Sequence, residues 1–353
     1  MSPLTEPTPE PPRSARPAGR ASRLGRLLES PFVVQYGLLP LVLIIVLAVG
    51  EIIAPGVMSV SNLASMTRFG VQLGLLAFAE MVVISAGGGG IDLSVASMAA
   101  VSEVVAADVV GDHLGVVVAI LVTLGVGLLM GAFNGALVVG VGLPPLIATI
   151  STLFGYGGLA LVLSNGVNIA DFPASYLTIG QGTILGLPVQ FACVFVPIAA
   201  LLWFATSRAK FGYELRLTGT NATAALLSGI NVRRIRFSGY VLAGFLASVV
   251  GIIDSSRFAT ARPTAGATDV LEAITVAVLG GVDIFGGQGT VIGVALATAV
   301  ATILGYSFSL ATINSVIETG AAGLLLILVI LGQNGLKALR TEVARRHRAA
   351  AGP

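Results

Sequence analysis

Five carboxylates, Glu80, Glu103, Asp254, Glu272 and Glu318, stand within or beside long apolar runs of this 353-residue chain. An isolated charge in such a place is costly, so acids found there relay protons, bind ions or face a wet cavity. A relay needs basic partners inside the apolar runs, and the sequence offers none. The two histidines fall in a short loop (His113) and near the C-terminus (His347). The two lysines, Lys210 and Lys337, follow Ala209 and Leu336, so the Gly-Lys step of a phosphate-gripping loop is missing. Cys193 is the single cysteine, which excludes an intrachain disulfide and a multi-cysteine metal site, and a lone thiol among apolar neighbours is expected to pack. No catalytic residue, cofactor or metal site is expected. The residues read as a membrane pore subunit driven from outside, with proton coupling through Glu80 and Glu272 as the alternative.

The elements that hold these acids are set by hydropathy. With 55% hydrophobic and 10% charged residues and a mean hydropathy of +0.96, the chain lies far from soluble proteins, of which about a quarter is charged. The predicted fold is an all-α polytopic membrane protein. A crossing helix needs about 20 apolar residues, and ten stretches approach that length: 36–54, 69–86, 93–109, 115–139, 144–163, 189–206, 236–254, 270–282, 291–308 and 315–332. The eighth is too short, which predicts a re-entrant segment or one half of a broken helix with the ninth. Sixteen of the nineteen basic residues fall in three clusters, Arg13–Arg26, Arg208–Arg236 and Lys337–Arg348. Positively charged loops stay in the cytoplasm, and six spans before the second cluster with four after it satisfy that rule, so both termini are expected inside. No basic residue alternates with aromatics as a nucleic-acid surface requires. Residues 1–34 read as a disordered, basic, Pro-rich cytoplasmic tail, 35–335 as the membrane domain with a loop at 207–236, and 336–353 as a second basic tail.

The run AEMVVISAGGGGIDLS (79–94) returns as LEAITVAVLGGVDIFGG (271–287), each with an acid, an apolar run, glycines and an aspartate. Paired glycine-interrupted segments in a membrane chain point to where a pathway is built. Gly89, Gly90, Asp92 and Ser94 in the first copy, and Gly280, Gly281 and Asp283 in the second, are the candidate helix breaks. Each aspartate suits an N-cap of the following helix, and contact with a solute is the alternative role.

The second basic cluster encloses TGTNATAALLSGIN (218–231). Thr220 or Asn221 can supply an N-cap, Ala222–Leu227 are good helix formers, and Ser228-Gly229 stops the run. Ala222, Ala225, Leu226 and Gly229 share one face of this short helix. From the residues alone, a knob for another protein's groove and an ordinary surface helix both fit.

GGIDLSVAS (89–97), NGALVVGVGLPPLIATISTLF (134–154), TGTNATAALLSGINVRRIR (218–236) and AVLGGVDIFGGQGTVIG (277–293) together resemble the ribose-type monosaccharide permeases of bacterial ATP-binding-cassette importers. The resemblance covers residues 35–335 in order. It departs at the fourth glycine of GGGG and at Ala96, where the family usually has Gly. The resemblance implies ten spans, a homodimer in the bacterial inner membrane, a separate cytoplasmic ATPase and an extracytoplasmic sugar-binding protein. It also implies that the island is the ATPase-coupling loop, with Gly219, Asn221, Ala224, Ala225, Ser228, Gly229 and Ile230 on its motif, and Ala222 and Leu226 of the same short helix are counted with them as coupling residues. Arg257 and Arg262, basic residues in a loop on the outer side, are expected to help dock the binding protein.

Overall fold

The computed structural model describes residues 38–111, 114–266 and 269–314, together with 316, 317, 320, 321, 323, 324, 327, 328, 331, 332 and 335. The expected tails, His113, His347, Glu318 and part of the tenth stretch lie outside the described residues. The helices are α1 (Leu38–Ile53), α2 (Val60–Ser85), α3 (Val95–Gly111), α4 (Val116–Gly135), α5 (Pro145–Leu163), α6 (Ala174–Gln181), α7 (Val196–Ser207), α8 (Lys210–Thr220), α9 (Ala222–Leu227), α10 (Val232–Phe258), α11 (Asp269–Leu279) and α12 (Val291–Leu310). Two π-helical segments, Ala136–Val141 and Gln190–Phe195, extend α4 and lead into α7. A small hairpin pairs β1 (Thr183–Ile184) with β2 (Leu187–Pro188).

Among the described residues, six helical runs are long and apolar enough to cross a membrane: Val60–Ser85, Val116–Val141, Pro145–Leu163, Gln190–Ser207, Val232–Phe258 and Val291–Leu310. α1 and α3 are slightly shorter. The eighth predicted stretch is an 11-residue helix, α11, stopped by Gly280-Gly281 and followed by eleven residues of turns before α12.

Two helices form the centre. The apolar windows of α2 and α10 are each 72% buried, against 28% for α4 and α5 and 17% for the run ending in α7. Leu75 and Phe78 of α2 and Leu246 and Ile253 of α10 are fully buried in one core cluster, with Phe78 stacked 5.5 Å from Phe195. The outer helices show Leu121, Leu129, Phe154 and Phe204 instead. This is the order expected when lipid, not water, surrounds the bundle: apolar side chains are cheap on the outside, and close helix contact relies on small residues. α4 and α10 meet that way, since a Cβ at Gly127 would strike Ser248 and the Gly244 backbone, and one at Gly131 would strike the Tyr240 carbonyl.

The basic island holds two helices where one was expected. α8 precedes α9, starts beside the exposed Lys210–Glu214 ion pair of 3.2 Å, and buries Gly212, Leu215 and Thr218. Ala86, Leu215, Ala225, Ile230 and Ile235 form a small apolar cluster that ties the end of α2 to the island. At the opposite end, α6 lies across the end of α10. The Tyr176 hydroxyl donates to the Ile252 carbonyl at 3.2 Å and lies 2.8 Å from Ser255 Oγ. Burial pushes that phenol above its usual range, so it stays a hydrogen-bond donor. Ile169 and Ala261 exchange backbone hydrogen bonds of 3.1 and 2.8 Å, joining the two loops of this end. Cys193 is exposed on the π-helical segment and is not packed as expected, because that segment lies on the bundle's outer surface.

Candidate functional site

Both glycine-aspartate copies end a helix in a glycine turn and carry an aspartate that accepts from the N–H two residues on. α2 ends at Ser85, and Gly87, Gly88 and Gly89 turn the chain with φ of 70°, 70° and 71°. α11 ends at Leu279, and Gly281, Gly286 and Gly287 turn it with φ of 87°, 97° and 81°. Residues with a Cβ are strained in that region, which is why glycine recurs in each copy. Asp92 Oδ1 accepts from the Ser94 N–H at 3.0 Å, and Asp283 Oδ1 from the Phe285 N–H at 2.9 Å. Asp92 therefore shapes the turn just before α3. Asp283 does not cap the helix that follows it: α12 is capped by Thr290, whose hydroxyl oxygen accepts from the Gly293 N–H at 3.1 Å.

The two copies touch each other at the island. The Gly287 N–H donates to the Ser85 carbonyl at 3.0 Å, and the Ser85 hydroxyl to the Gln288 carbonyl at 3.4 Å. Gly219, near the end of α8, is wedged between them; a Cβ there would overlap the Ser85 carbonyl and the Gly287 backbone. Gly87 in turn lies against Gly219 and Gly286. Arg236 of α10 reaches the same place, with its Nε–H on the Ala86 carbonyl at 3.4 Å and its guanidinium against Gly88. Three backbone segments thus cross without an intervening side chain.

α9 forms as its residues predict. Asn221 Oδ1 accepts from the Ala224 N–H at 2.9 Å. Gly229 turns with φ of 80° while the Ile230 N–H returns to the Ala225 carbonyl at 3.0 Å. Its expected single apolar face is split. Ala225 is 1% exposed and packs into the island's own cluster, as does Ile230, whereas Leu226 is 64% and Leu227 84% exposed. A helix of six residues anchored on one side by Ala225 turns its neighbours at 226 and 227 outward, so Leu227, which the sequence reading passed over, joins Leu226 in the exposed pair.

The first copy also carries a buried polar network. Glu80, Asp92, Ser94 and Asn134 are all fully buried. Asn134 Nδ2 of α4 donates to Asp92 Oδ1 and Oδ2, each at 3.2 Å, and to Ser94 Oγ at 2.7 Å. The Ser94 hydroxyl donates to Asp92 Oδ1 at 2.6 Å, and the Asp92 N–H to Glu80 Oε2 at 3.4 Å. Tyr156 of α5 donates to the Met130 carbonyl at 3.0 Å and lies 3.3 Å from Asn134 Oδ1. Glu80 Oε1 and the Tyr240 hydroxyl have no hydrogen-bond partner among the described residues. Asn134, Tyr156 and Tyr240 escaped the sequence reading; an asparagine standing alone in the apolar α4 was the available signal.

Arg257 and Arg262 lie at the end of the bundle opposite the island, both half-buried and turned onto internal partners. The Arg257 guanidinium stacks 3.7 Å from the Phe69 ring centre and donates to the Arg68 carbonyl at 3.3 Å. Arg262 bridges two helices: its Nη2 is 3.4 Å from Glu103 of α3 and 3.8 Å from Asp254 of α10, and its backbone N–H donates to Glu103 at 2.8 Å. Glu272, the counterpart of Glu80, is exposed at the start of α11 on the wall of an open cavity.

Residues 33–332 match the family described as "Branched-chain amino acid transport system / permease component". The autoinducer 2 import system permease protein LsrD of Enterobacter sp. (strain 638) is 33% identical over 288 residues, covering 80% of this chain and 87% of its own. The ribose import permease protein RbsC of Haemophilus influenzae is 31% identical, covering 83% of this chain and 91% of its own. Its namesake in Bacillus subtilis is 32% identical, covering 82% and 89%. No solved structure matches the chain. The chain belongs to this family of permease components of bacterial ATP-binding-cassette importers, and is a multi-pass protein of the inner membrane.

Proposed function

We propose that this permease passes a monosaccharide or similar small polyol, delivered by an extracytoplasmic binding protein and driven by a separate ATPase that seats on α9. Ribose in the names of two relatives supports the solute class. The observation that carries the coupling reading is that α9 exposes Leu226 and Leu227 while its Ala225 packs with Ala86 of the first break and Gly219 of the adjoining α8 touches both breaks. A push on the exposed leucines reaches the broken helices through backbone contact. In this reading the island faces the cytoplasm, Arg257 and Arg262 support binding-protein docking at the outer end, and two copies of the chain form the pore. The chain performs no covalent chemistry.

Leu226→Asp and Leu227→Asp test it. Burying a leucine side chain contributes about 1.5–3 kcal/mol, and an aspartate would enter an apolar groove unpaired. Insertion and yield should be normal, ATPase co-purification weak and uptake lost. Wild-type ATPase yield with undiminished uptake in both variants would reject the coupling role. Buried Glu80, with one carboxyl oxygen unpartnered among the described residues, favours proton-coupled secondary transport as a second reading. Uptake into proteoliposomes driven by a pH gradient, without ATP or partner subunits and lost in Glu80→Gln, would establish it.

A further inference from the structure

At the end of the bundle away from the island, an open cavity of about 390 Å³ lies between α2, α11, α12 and the loop after α10. That volume falls in the range of small-molecule sites, about 300–1,000 Å³. Its wall combines two kinds of surface. Phe69, Phe258 and Tyr306 present rings, with Phe69 and Tyr306 tilted at 54° and 6.1 Å apart. Gln72, Arg262, Asp269, Glu272, Thr302 and Ser309 present donors and acceptors.

We propose that this cavity is a transient binding site for the permeating solute, a neutral polyhydroxylated molecule of monosaccharide size, and that it helps set which solutes the permease accepts. The inference rests on the reading of the chain as a polyol permease. Carboxylates, an amide and hydroxyls in alternation can pair with vicinal hydroxyl groups, which both donate and accept. Aromatic rings offer the apolar face that the C–H side of a sugar ring needs. An anion is disfavoured, because Asp269 and Glu272 share the wall and Arg262, its one cationic side chain among the described residues, already faces Glu103 and Asp254. The Gln72 amide donates to Asp269 Oδ2 at 2.8 Å, which orients it and bridges α2 to α11.

The cavity also accounts for the repeat's asymmetry. Glu272 opens onto it, whereas Glu80 is sealed in the polar network. α11 and α12, which form much of the wall, are the two helices joined by the second glycine break. A shift of that break at the island would reshape the cavity and release the solute.

The test uses the assembled transporter in proteoliposomes, with Cys193→Ser and Ser309→Cys introduced so that one thiol reports on the cavity wall. A membrane-impermeant maleimide is added from the outer side with D-ribose, D-xylose, D-galactose, myo-inositol, sodium chloride or choline. At least one neutral polyol should slow labelling severalfold and saturably, and Gln72→Leu or Glu272→Gln should each weaken the protection. Absence of protection by every polyol, or equal protection by sodium or choline, would overturn the proposal, as would protection indifferent to both variants. Labelling needs no ATP, so the two readings fail separately. ATP-driven uptake with an unprotected thiol rejects the cavity, whereas protection with proton-driven uptake rejects the ATPase reading and keeps it.

Discussion

The two glycine-aspartate breaks begin from nearly the same residues and end in opposite surroundings. Around Asp92 the turn is fixed by Ser94, Asn134 and Glu80, all buried, so α2, α3 and α4 are joined by one polar network. Around Asp283 the turn is half-exposed and held by the Phe285 N–H, with Ile284 and Phe285 outside. Hydrogen bonds in a water-free setting are expensive to leave unmade, so the first break is the stiffer one. Both breaks touch Gly219 of the island, the first at Ser85 and Gly87 and the second at Gly287, so they differ in the side-chain bonds that hold them and not in their contact with the island. The difference indicates how a repeated motif can divide its labour: one copy anchors the centre of the bundle and the other is free to follow the island.

The largest expected effect comes from the point where both breaks meet the island. Gly219→Val would drive its side chain into the Ser85 carbonyl and the Gly287 backbone, neither of which is the end of a flexible side chain. Uptake should fall to background. Protein yield should drop less with Gly219→Ala than with Gly219→Val, and transport should follow the same order. Wild-type uptake in Gly219→Val would break the link between island and breaks.

Asp92→Ala comes next. It removes the acceptor of the Ser94 hydroxyl and N–H and two of the three Asn134 amide contacts in the buried interior, leaving the Asn134–Ser94 bond, a loss of about 1–3 kcal/mol. The midpoint of thermal aggregation of the purified complex should fall clearly. Asn134→Leu should cost less when Asp92 is already alanine, because partners in one network are non-additive by about 0.5–3 kcal/mol. Strict additivity would show that the network is not a unit.

Much of this was legible in the residues. The boundaries of α1, α4, α5, α12 and the run of the second π-helical segment with α7 fall within a few residues of the apolar stretches, because lipid-facing helices must be apolar throughout. The caps of α9 at Asn221 and Gly229 were readable because they are local rules. What escaped depends on tertiary packing. Nothing in Ala222–Leu227 tells which side would be claimed by Leu215, Ile230 and Ile235, so the exposed pair at 226 and 227 could not be separated from the buried Ala225. α8 was missed because its pattern is amphipathic and interrupted by Gly212, whose close approach to the Thr206 carbonyl is visible only in three dimensions. Arg257 and Arg262 read as outward cations for want of a visible partner, and their partners Arg68, Glu103 and Asp254 are distant in sequence.

The smallest expected effect sharpens the comparison most. Asp283→Ala removes a hydrogen bond that is half in water, so the change in stability should lie within about 0.5 kcal/mol, as for other exposed positions. Its turn nevertheless sets the path of Gly286 and Gly287, through the Gly286 N–H on the Asp283 carbonyl at 2.8 Å and the Asp283 N–H on the Gln288 carbonyl at 3.1 Å. Those backbone bonds survive the substitution while the side-chain restraint on Phe285 is lost. The variant should melt like the wild type and keep ATPase association. Its transport per ATP hydrolysed should fall, because the island would move a looser loop. Asp92→Ala should show the reverse pattern, with stability lost and the ratio of transport to hydrolysis kept in the fraction that folds. If both variants lost stability equally, the two breaks would be equivalent anchors, and the division between a fixed and a mobile copy would not hold.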